Sequence, residues 1–266
     1  MNVMSNESAS GPVLEVQGLS KVFTGNSEPT PVLSGLNFQA WPGEFICIIG
    51  QSGCGKSTLL KLLAGFIPPT AGRILFKGND ITGPGPERCV VFQEDALFPW
   101  LTVAENIGFG LKGRALSATE KQARVNRFLD LVGLTEFKDY LPREISGGMK
   151  QRVALARVLV LSPEVLLMDE PFAALDAQAR EQMQNLLLSL WEQLKQTIVF
   201  VTHDVREAVT LSDRIMVMGR ITAETIINPT HLVPIPLDRP RIQNRREFMK
   251  LALQLKAMVS GLNHKG

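Results

Sequence analysis

Chemistry is concentrated in one nonapeptide, Gly50-Gln51-Ser52-Gly53-Cys54-Gly55-Lys56-Ser57-Thr58. An apolar run, Phe45 to Ile49, precedes it, and Leu59, Leu60, Leu62 and Leu63 follow at helical spacing. Strand, glycine loop and helix in that order form the context of a phosphate-binding loop. The loop's backbone N–H groups and the helix N-terminus together suit a polyphosphate. Lys56 brings a mobile positive charge for the β- and γ-phosphates, and Ser57 a hydroxyl for Mg²⁺. The pattern predicts that the chain binds a nucleotide.

A second cluster is Val165-Leu166-Leu167-Met168-Asp169-Glu170, four apolar residues delivering two acids. Carboxylates at the C-terminal end of a buried strand fit a site where metal and γ-phosphate meet. Asp169 is expected in the Mg²⁺ shell, and Glu170 as the general base that polarises the attacking water. A third, Ser146-Gly147-Gly148-Met149, opens a helix with a serine cap and two glycines that bare the backbone, which makes a second anion site.

These residues need a scaffold. Residues 13–40 read as antiparallel strands, with Val13, Leu14 and Val16 and then Val32, Leu33, Leu36 and Phe38 as their apolar positions. Further strands are expected around Arg73–Phe76, Cys89–Phe92, Val165–Met168, Thr197–Thr202 and Ile215–Met218. Between Asp95 and about Pro163 the character is mostly helical. There Ser117 and Glu120 form a cap pair, and Val125, Phe128, Leu129 and Val132 an apolar stripe. Asp176 should cap a helix reaching about Leu194. The whole reads as a parallel α/β core with an inserted helical segment.

Beyond Arg220 the chain is punctuated by Pro229, Pro234, Pro236 and Pro240. It ends in one expected helix with Asn244 as N-cap, Glu247 at N3 and a stripe of Phe248, Leu251, Leu255, Met258 and Val259. From Arg239 onward seven Lys and Arg face a single acid, Glu247. Such an end suits either a solvated face or an anionic membrane surface. Docking on its own core is the default for the helix, and a partner the alternative.

Apolar residues make up 45% of the 266, enough for a sizeable core, and the net charge is only +2. The longest apolar stretch, Val153 to Met168, is broken by Arg157, Ser162, Pro163 and Glu164, so no bilayer span is expected. Met1 to Ser10 lacks the basic and apolar parts of a secretory signal, which points to the cytosol. Cys47, Cys54 and Cys89 have neither CxxC spacing nor a nearby His, and read as reduced thiols.

The ordered conjunction of these motifs resembles one family. Gly50–Ser57 is followed by Gln93 after Val90-Val91-Phe92, then Ser146-Gly147-Gly148, Asp169-Glu170, Ala173-Ala174-Leu175-Asp176 and Thr202-His203-Asp204. Over about residues 13–218 the chain resembles the nucleotide-binding subunit of an ATP-binding cassette (ABC) transporter. The resemblance implies an α/β P-loop NTPase with a RecA-like parallel core (about 13–93 and 164–218) and an antiparallel β subdomain. It also implies an inserted helical subdomain (about 94–163) and an extension over 219–266.

By the same resemblance Phe23 stacks on adenine, and the loop residues Gly50 to Thr58 hold ATP. Gln93 senses Mg²⁺ and the γ-phosphate beside Ser57 and Asp169. His203 is the switch that holds the attacking water with Glu170, and Asp176 works across a dimer. Ser146, Gly147, Gly148 and Met149 clamp the partner's ATP. Ile145 and Met149 replace the family's usual Leu and Gln around the signature, and Ala173 its usual Ser, with no catalytic group removed.

The implied assembly is a homodimer, or a pair with a related ATPase subunit, buried around two MgATP. It sits on the cytoplasmic face of the cell membrane against transmembrane permease subunits, served indirectly by a solute-binding protein. No nucleic acid partner is expected. Phe98-Pro99-Trp100-Leu101 either meets the permease or packs the helical segment. That stretch and Leu237-Asp238-Arg239-Pro240-Arg241 resemble the importers of nitrate, sulfonates, taurine and related small anions. An exporter or a cytosolic assembly system is the alternative. A DNA-end ATPase is not, because the gap from Ser57 to Ser146 is too short for a long coiled coil.

Overall fold

The computed structural model describes residues 11–24, 28–92, 97–221, 230–243 and 245–261. The elements in chain order are β1 (Leu14–Phe23), β2 (Thr30–Ala40), β3 (Phe45–Gly50), α1 (Lys56–Leu63), β4 (Ala71–Phe76), β5 (Asn79–Asp80) and β6 (Arg88–Val91). Then come α2 (Val103–Gly108), α3 (Ala118–Leu131), α4 (Gly147–Leu159), β7 (Val165–Asp169), α5 (Ala177–Leu194) and β8 (Thr197–Val201). Last are α6 (Val205–Leu211), β9 (Arg214–Met218), β10 (Thr230–Pro234) and α7 (Arg246–Gly261).

The strands form two sheets, a four-stranded one in the order β2-β1-β4-β5 and a six-stranded one in the order β10-β9-β3-β8-β7-β6. The smaller sheet is antiparallel throughout. In the larger, β6, β7, β8, β3 and β9 run parallel, and only β10 is antiparallel. Parallel strands covered on both faces are apolar along their whole length. Phe45 to Gly50 are accordingly all buried, as are Thr197 to Val201.

Alternation along these strands divides the interior in two. Ile46, Ile48, Val165, Leu167, Val199 and Val201 face the antiparallel sheet and enclose Leu59, Leu60, Leu62 and Leu63 of α1. Phe45, Cys47, Leu166, Met168, Ile198, Phe200, Ile215 and Val217 face the opposite way, into a core shared with α3 to α7. Every strand of the parallel set therefore ends, at its carboxyl end, along one edge. Gly50, Asp169 and Val201 end their strands there.

The expected strands and the caps of α3 and α5 are present. Ser117 and Glu120 form a reciprocal capping box, and the Asp176 side chain accepts the Ala179 N–H. Sequence reading left out α6 and β10. A seven-residue helix offers too short a window for periodicity, and the Thr230–Pro234 strand is largely exposed and lies among prolines. Asn244, expected as the cap of α7, lies outside the described residues. α7 itself docks on its own chain: Phe248 and Leu255 are fully buried and join the larger core. Burying each contributes about 2–3 kcal/mol, more than the roughly 0–1 kcal/mol of an exposed ion pair, so apolar contact is one of the tail's main anchors.

One buried amide organises the segment before α2. Asn106 is fully enclosed, accepts the Phe98 N–H at 2.9 Å, and donates to the carbonyls of Phe98, Leu101 and Thr102 at 3.1, 2.9 and 3.0 Å. Phe98 packs between Phe109 and Trp100, with centroids 4.2 and 5.7 Å away, whereas Trp100 is 71% exposed. Phe98 thus packs against its neighbours, and Trp100 faces out.

Asn106→Ala should cost about 3 kcal/mol, because the truncation strands buried backbone partners. Urea denaturation with the slope held constant measures it.

Candidate functional site

The glycine loop is shaped by what surrounds it. A Cβ on Gly50 would lie 2.4 Å from the Met218 carbonyl oxygen and 2.8 Å from Cys54 Sγ. Gly55 has φ +101°, and a Cβ there would meet the Leu33 side chain at 2.7 Å. Neither position admits a side chain. Gly55 also caps α1 without any side-chain hydrogen bond, and no acid stands in the first turn. The opening N–H groups of a helix have no intrahelical acceptor, so this end is left to an anion.

Lys56 is 6% exposed, with its ammonium donating to the carbonyls of Gly50 and Gln51 at 2.8 and 3.0 Å. Two of its three protons thus hold the loop closed around the charge. Cys54 is buried, and burial pushes its thiol up, away from reactive thiolate. Phe23 ends β1 opposite Thr30, close to where Val32 and Leu33 abut Gly55. It is 45% exposed, and the Lys21 ammonium stands 5.2 Å from the ring centroid.

At the end of β7 the Ser57 hydroxyl donates to Asp169 Oδ1 at 3.0 Å. Burial raises the Asp169 carboxyl, the Ser57 hydrogen bond opposes that, and the Glu170 charge adds to it. Among the described residues no group of three or more His, Cys, Asp or Glu side chains could hold a metal ion alone. A hydroxyl and one carboxylate fit a hard cation that takes its other oxygens from water and phosphate, as Mg²⁺ does. The residues present therefore suit Mg²⁺ beside a nucleotide. Gln93, the other expected Mg²⁺ contact, lies outside the described residues.

Glu170 has φ +46°, a left-handed conformation that costs a non-glycine residue about 1–2 kcal/mol. Its N–H bonds to the Val201 carbonyl at 3.0 Å, and its own carbonyl accepts from Ala173 N–H at 3.2 Å. Held this way, Oε2 lies 2.9 Å from Nδ1 of His203. At that distance carboxyl and imidazole share one hydrogen bond. Nothing in the local sequence signals the strained backbone. It is visible only once β7 and β8 lie side by side.

The turn before α6 carries the Thr202-His203-Asp204 motif and is also held by Arg180, Gln184 and Glu207, which motif reading missed. Asp204 caps α6 by accepting the Arg206 and Glu207 N–H groups at 2.8 and 3.3 Å, and its own N–H donates to Thr202 Oγ1 at 3.0 Å. Glu207, 5% exposed, accepts from Gln184 Nε2 of α5 at 3.1 Å. Arg180 donates to the Leu175 carbonyl at 2.9 Å and stands 3.9 Å from Asp204, so it spans the turn after β7 and the turn after β8. Acidic Glu207 one turn into a helix looks like a surface charge until the fold buries it.

Ser146 caps α4 by accepting the Met149 N–H at 3.3 Å. With Gly147, Gly148, Met149 and Asp176 it lines a recess of about 550 Å³. That recess contains none of Lys56, Ser57, Asp169, Glu170 or His203. Within one chain the two groupings expected to meet anions are separate.

Comparison with known proteins decides the family. The ABC transporter profile matches residues 33–173. The nitrate import ATP-binding protein NrtD of Synechocystis is 44% identical over 93% of this chain and 95% of its own length. The chain belongs to the ABC transporter family. The bicarbonate transport ATP-binding protein CmpD of Synechococcus elongatus is also 44% identical, over 88% of this chain and 84% of its own. An ATP-binding cassette solved as a dimer in a post-hydrolysis state with ADP and Pi superposes with a TM-score of 0.69 at 28% identity. It covers 85% of this chain and all of its own length (100%). This ABC subunit binds ATP and is an ATPase of the P-loop α/β fold. Among its described residues no helix is long and apolar enough to cross a membrane.

Two outcomes follow from the geometry. Gly50→Ala should weaken ATP binding by about tenfold or more, since overpacking costs about 1–3 kcal/mol and here it would push β3 from β9. Titration with a fluorescent ATP analogue, beside a thermal melt, checks it. Burial holds the Glu207 carboxyl above the ordinary glutamate range, against the lowering hydrogen bonds from Thr202 and Gln184. The folded state then keeps a proton that the unfolded chain has released. Stability therefore falls as pH rises from the ordinary glutamate value through the raised folded one. Glu207→Gln should melt higher than wild type above that window and match it below, in melts taken from acid to neutral pH.

Proposed function

We propose that this subunit powers the import of nitrate or a related small anion, such as a sulfonate or taurine, through a membrane permease. The observation that carries this reading is the near full-length match to a nitrate import subunit. The ATPase unit is residues 13–218, with 219–266 as an extension. Two copies pair head to tail around two ATP molecules. Each glycine loop faces the partner's Ser146, Gly147, Gly148 and Met149, with Asp176 beside them. Separation of the two anion groupings within one chain supports that arrangement, because a symmetric dimer satisfies both at once.

Each side chain then has a task. Phe23 stacks on the base, Lys56 neutralises the β- and γ-phosphates, and Ser57, Asp169 and Gln93 would hold Mg²⁺. That ion supplies charge stabilisation for the transferring phosphoryl group. Glu170 takes the proton of the attacking water as general base, and His203 orients its carboxylate through the Nδ1 contact. Loss of the bridging γ-phosphate frees the two halves to part, and that movement is the mechanical output. Exposed Trp100 is placed to receive a permease helix, while Phe98 and Asn106 stiffen the segment beneath it.

Glu170→Gln tests the composite site. The variant should bind ATP, hydrolyse it at least about a hundredfold more slowly than wild type, and elute as a dimer in size-exclusion chromatography with MgATP. Staying monomeric at saturating MgATP, while wild type hydrolyses normally, would sink the paired mechanism. Wild-type protein should also co-purify with a permease from native membranes, and its loss should abolish nitrate-type uptake.

A further inference from the structure

Besides pairing as β10 with β9, the proline-punctuated tail returns to the molecule at the C-terminal end of α6. Arg239 donates to the Leu211 carbonyl and to Asp213 Oδ1, each at 2.6 Å. Arg241 donates from Nη1 to the carbonyls of Val209 and Ser212, both at 2.6 Å, and from Nε to the Leu237 carbonyl at 2.8 Å. Ser212 N–H and Oγ both bond the Ala208 carbonyl, at 3.1 and 2.8 Å. The last-turn carbonyls of a helix have no partner inside it, and here two guanidinium groups satisfy them. Their positive charge also opposes the negative end of the helix dipole.

These arginines are not surface charges. The Arg239 guanidinium lies 4.5 Å from the Trp191 ring centroid, and its partner Asp213 also accepts the Phe45 N–H at 2.9 Å. Burial, with the nearby Arg239 charge, lowers Arg241 to about 10, so it stays charged at neutral pH. Phe248 and Leu255 of α7 are buried in the same core as Ala208, Val209 and Leu211. The extension therefore grips α6 by both hydrogen bonds and apolar packing.

α6 is a lever short enough to move as one body. Seven residues span about 10 Å, and Asp204, its cap, follows His203 directly. Near its start α6 is held by Glu207 on Gln184 and Thr202, by the Asp204–Thr202 turn and by Arg180, 3.9 Å from Asp204. We propose that Arg241, assisted by Arg239, is a positioning residue for hydrolysis: it fixes the far end of α6 and so sets where His203 meets Glu170. The proposal rests on reading His203 as the group that orients Glu170. It gives the two arginines of the extension a task in catalysis that the apolar docking of α7 does not share.

The test is steady-state ATPase kinetics of the purified full chain, with rates counted per folded molecule. Arg241→Ala should lower kcat about tenfold while KM for ATP stays within about twofold, since misplacement remote from the chemistry acts on the reacting geometry. Arg241→Lys should recover part of kcat, because an ammonium keeps the charge but not the fork that spans two carbonyls. Leu255→Ala, which weakens tail packing without touching the α6 carbonyls, should lower Tm and leave kcat near wild type.

The double variant His203→Ala with Arg241→Ala should be no slower than His203→Ala alone. Wild-type kcat in Arg241→Ala would overturn the proposal, as would parallel losses of kcat in Arg241→Ala and Leu255→Ala at equal Tm. If the Arg241 factor recurs undiminished in the His203→Ala background, Arg241 does not act through His203, and only the proposal falls. If His203→Ala alone keeps full activity, the reading of His203 falls first.

Discussion

Gly50 brings β3 so close to β9 that a single added carbon would sit 2.4 Å from the Met218 carbonyl oxygen. That contact sits where a strand buried on both faces stops and a phosphate-binding turn begins. β3 lies between β8 and β9, so its end shares an edge with the ends of its neighbours. The apolar faces make the register costly to shift, because a slip by one residue would exchange the two cores. Once β3 is held, α1 starts at one place only, and the anion-binding end of that helix is aimed along the same edge as Asp169, Glu170 and His203.

The acids at the end of β7 show how burial and chemistry are linked. A carboxylate taken from water looks for a cation or for donors. Asp169 has the Ser57 hydroxyl and is suited to a hard metal ion, while Glu170 has the His203 imidazole. The adjacent residues point to different tasks because the backbone turns left-handed at Glu170. Strain of about 1–2 kcal/mol at that residue is tolerated since Val201 and Ala173 hold it on both sides.

α6 connects this site to the tail. Its first residues belong to the turn that carries His203, and its last carbonyls are taken by Arg239 and Arg241. Charge counting along the sequence treats those arginines as part of a basic end suited to solvent or a membrane surface. In the fold they point inward, and the basic character left to the surface is smaller than composition implies.

The glycine loop, the strand that ends in two acids, the serine-capped signature and the caps at Ser117 and Asp176 were readable from residue types and spacing. Each is local: the turn, cap or alternation is complete within about ten residues, so the physics that selects it acts on neighbours in the chain. The parallel sheet was also legible, because a strand covered on both faces has to be apolar throughout. What tertiary structure decided is who meets whom. Asn106 and Glu207 look like ordinary polar helix residues until distant segments enclose them, and Arg239 and Arg241 look like solvated charges until α6 presents its carbonyls. β10 forms only because β9 offers an edge, and Glu170 reaches His203 only through a strained turn that β8 supports. Contacts between residues far apart in the chain leave no periodic trace along it, which is why those assignments waited for the folded molecule.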